Sequence, residues 1–197
     1  MPRLVDHAAR RVELAEAVWR VIRRDGIERA SVRNVAREAG RSPGSLRHFF
    51  ATQSDLMAFS MRLVADRVRA RLEARRPTGD VRRDVEAVLA EVMPLDGERR
   101  TESEVWLAFA GQALVDPTLR ALREEIDDGL YGLMRRLVEA LAAAGEAAPD
   151  LDLDLEAERL NAVVDGLVVH ALMRPDRVDP ALMGAVVARH LDGLRSS

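Results

Sequence analysis

Apolar residues recur at every third or fourth position along almost the whole of this 197-residue chain. In residues 118–144 they form one face, made of Leu119, Leu122, Ile126, Leu130, Leu133, Leu137 and Leu141. Because an α-helix has about 3.6 residues per turn, this spacing predicts a long amphipathic helix. Only the short acidic stretch at 151–155 alternates with the period of a β-strand. The periodicity therefore predicts an all-α fold.

Capping and breaking residues divide this pattern into about nine predicted helices. We expect them near 8–25, 32–39, 43–50, 53–76, 80–93, 101–115, 118–144, 155–173 and 179–194. We interpret residues 1–53 as a small three-helix domain and residues 54–197 as a larger helical bundle. The predicted helix 101–115 is apolar on nearly every side after Glu104, so we expect it to be buried centrally.

Charge is distributed unevenly along the chain. Residues 1–76 hold 17 arginines and 9 acidic residues, a net charge of +8. The remainder holds 13 arginines and 24 acidic residues, a net charge of −11. A basic segment joined to an acidic one indicates that the N-terminal part meets an anionic partner.

Several classes of protein are disfavoured by composition. The chain has no cysteine, which excludes disulfides, thiol catalysis and thiolate metal sites. Its four histidines are scattered, so we expect no metal and no cofactor. We find neither an apolar run of membrane-spanning length nor a signal peptide at MPRLVDHAARR, so we expect a cytoplasmic protein with no membrane partner.

Residues 31–50 have the layout of a helix-turn-helix, the DNA-binding pair of helices. Ser31 and Ser42 are predicted N-caps, and Pro43 occupies a first helical position that needs no N–H. In the second helix Leu46, Phe49 and Phe50 step by three and four, so they can face the core. This leaves Gly44, Ser45, Arg47 and His48 pointing outward, where the capped N-terminus suits a phosphate and the side chains suit base edges.

Other readings of the same residues remain open. Residues 31–50 could be an ordinary helical hairpin, since helix-turn-helix patterns give false positives. A helical enzyme using His170 with Asp165 or Glu158 is a further alternative, although no nucleophile, phosphate-loop or metal motif accompanies it. A dimeric interaction protein without an effector is another. We expect a DNA-binding regulator and not an enzyme.

The segment GIERASVRNVAREAGRSPGSLRHFFATQSDL, residues 26–56, resembles the DNA-binding domain of TetR-family transcriptional regulators. The resemblance is carried by Gly26, Ser31, Val35, Ala36, Ala39, Gly40, Ser42, Gly44, Phe49, Phe50 and Leu56. Two positions differ from the family, which commonly has tyrosine where this chain has Arg47 and lysine where it has Gln53. Further along, EVWLAFAGQALVDPTLRAL and VVDGLVVHALMRPDRVDP resemble the BetI-type branch of the family.

This resemblance implies a homodimeric repressor that binds a near-palindromic, double-stranded operator and responds to a small-molecule effector. The expected DNA contacts are Ser31, Arg33, Arg41, Ser42, Pro43, Gly44, Ser45, Arg47, His48 and Gln53. Dimerisation is expected through 155–173 and 179–194, which carry broad apolar surfaces.

A ligand pocket is expected within the C-terminal bundle. Its candidate residues are Trp106, Phe109, Gln112, Tyr131, Met134, His170 and Met173. Gln112 and His170 are singled out because a polar group on an apolar helix needs a partner once it is buried.

Overall fold

The computed structural model describes residues 2–195, and their side chains from residue 9 onward. Nine α-helices occupy this part of the chain and no β-strand does, which confirms the predicted all-α fold. The helices are α1 (Pro2–Asp25), α2 (Val32–Glu38), α3 (Pro43–Phe49), α4 (Gln53–Ala74), α5 (Val81–Leu89), α6 (Gly97–Ala113), α7 (Pro117–Ala143), α8 (Leu153–Met173) and α9 (Pro180–Gly193).

Helix ends follow local chemistry closely. The predicted caps Ser31 and Ser42 precede α2 and α3, and Asp152 and Asp179 cap α8 and α9 in the same way. The larger differences from the predicted bounds fall at other ends: α1 begins at Pro2, α6 runs from Gly97 to Ala113, and α5 ends at Leu89 before a single 3-10 turn. No described helix is long and apolar enough to cross a membrane.

The chain divides into two compact units. The first comprises residues 1–67 and 104–124, and the second comprises residues 68–103 and 125–197. Helices α4, α6 and α7 each contribute residues to both. The sequence-based boundary between residues 53 and 54 remains a prediction.

In the first unit α1 buries its apolar stripe. Leu14, Val18, Val21 and Ile22 are all at most 6% exposed, and each such side chain contributes about 1.5–3 kcal/mol relative to exposure. Trp19 is buried too, and its indole N–H donates to the Ser60 carbonyl oxygen at 3.2 Å. These contacts fix α1 as the support on which the helix-turn-helix rests.

In the second unit α9 packs beside both α8 and α5. Arg82 of α5 donates to the Ala188 carbonyl oxygen at 2.8 Å and pairs with Asp192 at 2.9 Å. Glu91 and Glu102 are buried carboxylates, and arginines of the same unit reach both of them. The second unit therefore combines an apolar core with a buried ionic cluster.

Part of the predicted burial of α6 is wrong. Val105, Phe109, Ala110 and Ala113 are buried, but Leu114 and Val115 are 73% and 74% exposed. The helix ends at Ala113 because the next N–H groups bond back in a turn, with Val115 N–H donating to the Gln112 carbonyl oxygen. The apolar run thus extends beyond the helix that it was taken to define.

Candidate nucleic-acid interface

The turn between α2 and α3 is built by a glycine in the left-handed region. Gly40 has φ 64°, a conformation that costs other residues about 1–2 kcal/mol. The Arg41 N–H donates to the Ala36 carbonyl oxygen at 2.8 Å, and the Gly40 N–H donates to the Arg37 carbonyl oxygen at 3.1 Å. This pair of bonds is a Schellman motif, which satisfies the last carbonyls of α2 and reverses the chain within three residues.

Helix α3 is short, so its two ends need separate anchors. At its start the Ser42 hydroxyl accepts from the Ser45 N–H at 3.1 Å, and Pro43 takes the first helical position. Leu46 is fully buried, and Phe50, the C-cap, is 2% exposed. Phe49 is only partly buried and meets the His48 ring edge-on at 6.2 Å. Leu46 and Phe50 therefore hold α3, and most of its remaining surface faces solvent.

The structure leaves most of the predicted DNA-contact residues open to solvent. Ser31 and Ser45 are partly buried, while the others are exposed: Arg33, Arg41, Ser42, Pro43, Gly44, Arg47, His48 and Gln53. These residues lie on α2, the turn, α3 and the start of α4, so one short segment presents them all. Their roles in binding DNA remain predictions.

The arginines in and around this segment differ in whether a carboxylate pairs with them. Arg20 and Arg24 both pair with Glu38, and the Arg24 guanidinium holds the pKa of that carboxyl below its usual value. By contrast, Arg33 and Arg47 make no ion pair with any described side chain. An exposed guanidinium without a carboxylate partner is available to neutralise a phosphate.

One positively charged residue beside this surface was missed by the sequence reasoning. Arg11 of α1 stacks against Phe50 and Phe59, which lie 39 and 48 positions later in the chain. A contact at that separation leaves no periodic signal in one sequence.

The reciprocal cap at the start of α4 was also missed, although its residues are close in sequence. Thr52 and Asp55 each accept a hydrogen bond from the backbone N–H of the other, at 3.0 and 2.9 Å.

The predicted effector-site residues differ widely in burial. In the first unit Phe109 is 1% exposed and Trp106 is partly buried, whereas Gln112 is exposed. In the second unit Met134 is fully buried and Tyr131, partly buried, donates to Asp154 at 3.3 Å.

His170 and Met173 of the second unit are exposed, and Met173 is 65% exposed. The premise that Gln112 and His170 are buried polar groups therefore does not hold in the single chain. The ligand pocket as a whole remains a prediction.

The Trp106 indole has one unusual property. Its N–H is buried and has no hydrogen-bond partner among the described residues. The Arg123 guanidinium carbon lies 5.9 Å from the centre of its ring. A buried donor without an acceptor costs free energy. Among the seven predicted effector-site residues, only Trp106 has a buried side-chain polar atom that lacks a partner in the described part of the chain.

Comparisons with known proteins bear on the whole chain. A family model described as the C-terminal part of BetI-type transcriptional repressors matches residues 81–196. The HTH-type transcriptional regulator PksA of Bacillus subtilis (strain 168) is 39% identical over 98% of this chain and 94% of its own length.

Solved structures agree with these matches. A transcriptional regulator from Rhodococcus sp. Rha1 is 30% identical, with a TM-score of 0.83 over 93% of this chain and 95% of its own. The multidrug binding protein EbrR, solved with ethidium, is 29% identical, with a TM-score of 0.63 over 92% of this chain and 98% of its own. Together with the helix-turn-helix geometry, these matches show that the chain belongs to the TetR family of DNA-binding transcriptional regulators, with a C-terminal part of the BetI type.

Proposed function

We propose that this regulator is a ligand-responsive repressor that binds a near-palindromic operator as a homodimer. The observation that supports this proposal best is that Arg33 and Arg47 are exposed and make no ion pair with a described residue. They lie on a helix-turn-helix whose residues Leu46 and Phe50 are buried. Cations fixed on a rigid surface favour phosphate and guanine contacts. We place its action in the cytoplasm and expect no catalytic activity.

Within this interface the residues divide by position. We assign base reading to the outer side of α3, where Ser45, Arg47 and His48 lie, and phosphate contacts to the surrounding segment. That surrounding group is Ser31, Arg33, Arg41, Ser42, Pro43, Gly44 and Gln53. Arg47 replaces the tyrosine common in the family and adds a full positive charge, whereas Gln53 replaces a lysine and offers only neutral donors.

The DNA proposal is tested by selecting the preferred duplex from a random-sequence library and measuring its affinity over a series of salt concentrations. We expect Arg47→Ala to weaken binding to the selected duplex and, where Arg47 contacts phosphate, to lower the logarithmic salt slope by about 0.9. Arg69→Ala on α4 is the matched control, because it removes one exposed arginine outside the interface. Selection of no preferred sequence by the wild type would contradict the proposal. An Arg47→Ala affinity equal to that of the wild type would contradict only the assignment of α3.

The dimer proposal is supported by one face of α8. Five of its residues step by seven, four, three and four, and all are exposed or partly exposed: Leu155, Ala162, Gly166, Val169 and Met173. Leu155 and Met173 are 56% and 65% exposed, and Leu182 of α9 is 42% exposed. A second copy would cover this apolar surface and set two recognition helices about 34 Å apart, as two half-sites require.

Sedimentation analysis tests the dimer. We expect the wild type to sediment as a dimer and Met173→Arg to shift it toward monomer, because a charge would be buried in the interface. Leu114→Arg is the control, since Leu114 is an exposed apolar residue outside α8 and α9, 73% exposed against 65% for Met173. A monomeric wild type, or a Met173→Arg variant that dimerises as tightly, would contradict the assignment.

The effector proposal is supported by the family and by the unsatisfied indole of Trp106. Ethidium, the ligand bound by EbrR, is a suitable first probe and is titrated without DNA because it intercalates into duplexes. We expect saturable binding that Trp106→Leu weakens and Leu114→Ala leaves unchanged. Absence of saturable binding would exclude ethidium-like cations. A true effector must also lose affinity in the presence of operator by the same factor by which it weakens operator binding.

A further inference from the structure

The side chain of Arg11 lies against two aromatic rings of the first unit. Its guanidinium carbon is 4.3 Å from the centre of the Phe59 ring and 5.0 Å from the centre of the Phe50 ring. The two rings are themselves 5.4 Å apart and tilted by 46°. One cation thus joins α1, which carries Arg11, to the end of α3 at Phe50 and to α4 at Phe59.

Stacking is the only interaction that the described residues offer this charge. Its Nε atom is buried without a hydrogen-bond partner, and no described carboxylate pairs with it. Other arginines of the same unit do have such partners: Arg20, Arg24, Arg41 and Arg67 each pair with a glutamate. Arginine suits a stacked position because its planar guanidinium is weakly hydrated and can lie on a ring face.

Phe50 anchors the C-terminal end of α3. It is the C-cap of that helix, its backbone is extended, and its N–H closes the last turn on the Leu46 carbonyl oxygen at 3.0 Å. Within the seven-residue helix only Leu46 is fully buried. The angle at which α3 is held therefore depends on Leu46 near its middle and on Phe50 at its end.

We infer that Arg11 is a positioning residue for DNA recognition. By stacking on Phe50 and Phe59 it fixes the C-terminal end of α3, and so the direction in which Arg47 and His48 project. It acts through Phe50 and does not itself contact a phosphate. The inference rests on the proposed binding of a specific operator.

The test compares Arg11→Met and Arg11→Lys with the wild type. Methionine keeps the length of the side chain but loses the charge and the planar stack, and lysine keeps the charge alone. Each variant is titrated against the duplex that the wild type selects and against a scrambled duplex, over several salt concentrations. Circular dichroism and a thermal melt give the folded fraction, by which each affinity is corrected. Arg69→Met is the control for loss of one positive charge.

We expect Arg11→Met to weaken binding to the selected duplex about 10-fold, a loss between those of an exposed and a desolvated cation–π contact, because Arg11 is partly buried. The scrambled duplex should change by less than about twofold, and the salt slope should stay constant, because no phosphate contact is lost. Arg11→Lys should fall between Arg11→Met and the wild type. Phe59→Leu should weaken binding as well, and the double variant should be no weaker than Arg11→Met, because both changes break one contact.

Three results would overturn the inference. Equal losses on both duplexes with a shallower salt slope would make Arg11 a phosphate contact. A lower melting temperature with unchanged affinity of the folded protein would make it only structural. Additive effects of Arg11→Met and Phe59→Leu would mean that Arg11 does not act through the rings. A wild type that prefers no duplex would instead refute the proposed function, and this inference with it.

Discussion

A buried ionic cluster in the second unit permits a prediction whose size follows from its geometry. Arg71 of α4 donates to both oxygens of Glu102, at 3.0 and 2.7 Å, and to Glu91 at 3.1 Å. The Glu102 side chain is only 4% exposed, and Arg71 is its one ion-pair partner among the described residues. Glu91 also pairs with Arg75 at 3.2 Å. The Glu102 carboxylate raises the pKa of Arg71 above its ordinary value.

Removing Arg71 leaves the Glu102 carboxylate buried and unpaired. Breaking a buried pair in this way costs about 3–5 kcal/mol of unfolding free energy. The Arg71 side chain is 24% exposed, so water can reach the vacated position, and we expect the lower end of that range for Arg71→Met. For a chain of this length, a loss of about 3 kcal/mol lowers the melting temperature by about 6–12 °C.

Replacing both partners should have a different effect. In the double variant Arg71→Met with Glu102→Leu no unpaired charge remains, and apolar side chains of similar volume fill the site. We expect its free energy of unfolding to lie within about 1 kcal/mol of the wild type. Glu91 keeps Arg75 as a partner in every variant.

Urea denaturation of the wild type, both single variants and the double variant gives the four unfolding free energies of a double-mutant cycle. Urea is preferred to guanidinium because a salt would screen the charges under test. The double variant should be more stable than Arg71→Met alone. A loss of less than about 1 kcal/mol in Arg71→Met, or two single losses that add up in the double variant, would contradict a buried, coupled ion pair.

Two further predictions concern other parts of the chain. Ser42→Ala should lower the unfolding free energy by about 1 kcal/mol, because the Ser45 N–H loses its acceptor. Ser42→Asp should restore most of this free energy, because aspartate can accept the same hydrogen bond. Equal urea midpoints for the two variants would contradict a stabilising role for Ser42 as the N-cap of α3. Burial lowers the pKa of His190 below its ordinary value of 6.5. As the pH falls, this histidine is therefore protonated in the unfolded chain at a higher pH than in the folded chain. Stability that His190 contributes above pH 6.5 is thus lost as the pH falls below that value. The urea midpoint should fall less steeply with acidification in His190→Gln, and parallel profiles would contradict this.

Local features of the helix-turn-helix were predictable from sequence because each depends on residues within five positions of one another. Ser42 meets the N–H three residues ahead, and the Gly40 turn bonds back to α2 within five residues. Such contacts depend on residue type and spacing, which a single sequence displays. The bounds of α2 and α3 were predicted to within one residue for the same reason.

Contacts between distant positions were not predictable in this way. Glu102 lies near the start of a helix, where an acidic residue is normally solvated, yet it is buried against Arg71, 31 positions earlier. Arg11 reaches Phe59 across 48 positions. In both cases the burial of the charged side chain depends on a residue far away in the sequence. Removing a charge from water costs free energy unless an ion-pair partner or an aromatic ring face is present.

The same limit applies to the residues predicted to line an effector pocket and to form a dimer interface. Periodicity identifies α8 as apolar on more than one side, but it cannot say which side is buried within the chain itself. The covered face carries Leu160, Val164 and Leu167, which leaves Leu155 and Met173 on the other side exposed. In the proposed dimer this exposed face would be covered by the same face of a second copy, since a two-fold axis buries both at once. Met173, predicted from sequence to line the effector pocket, is exposed and so also fits the proposed dimer interface, and sedimentation of Met173→Arg tests that second role.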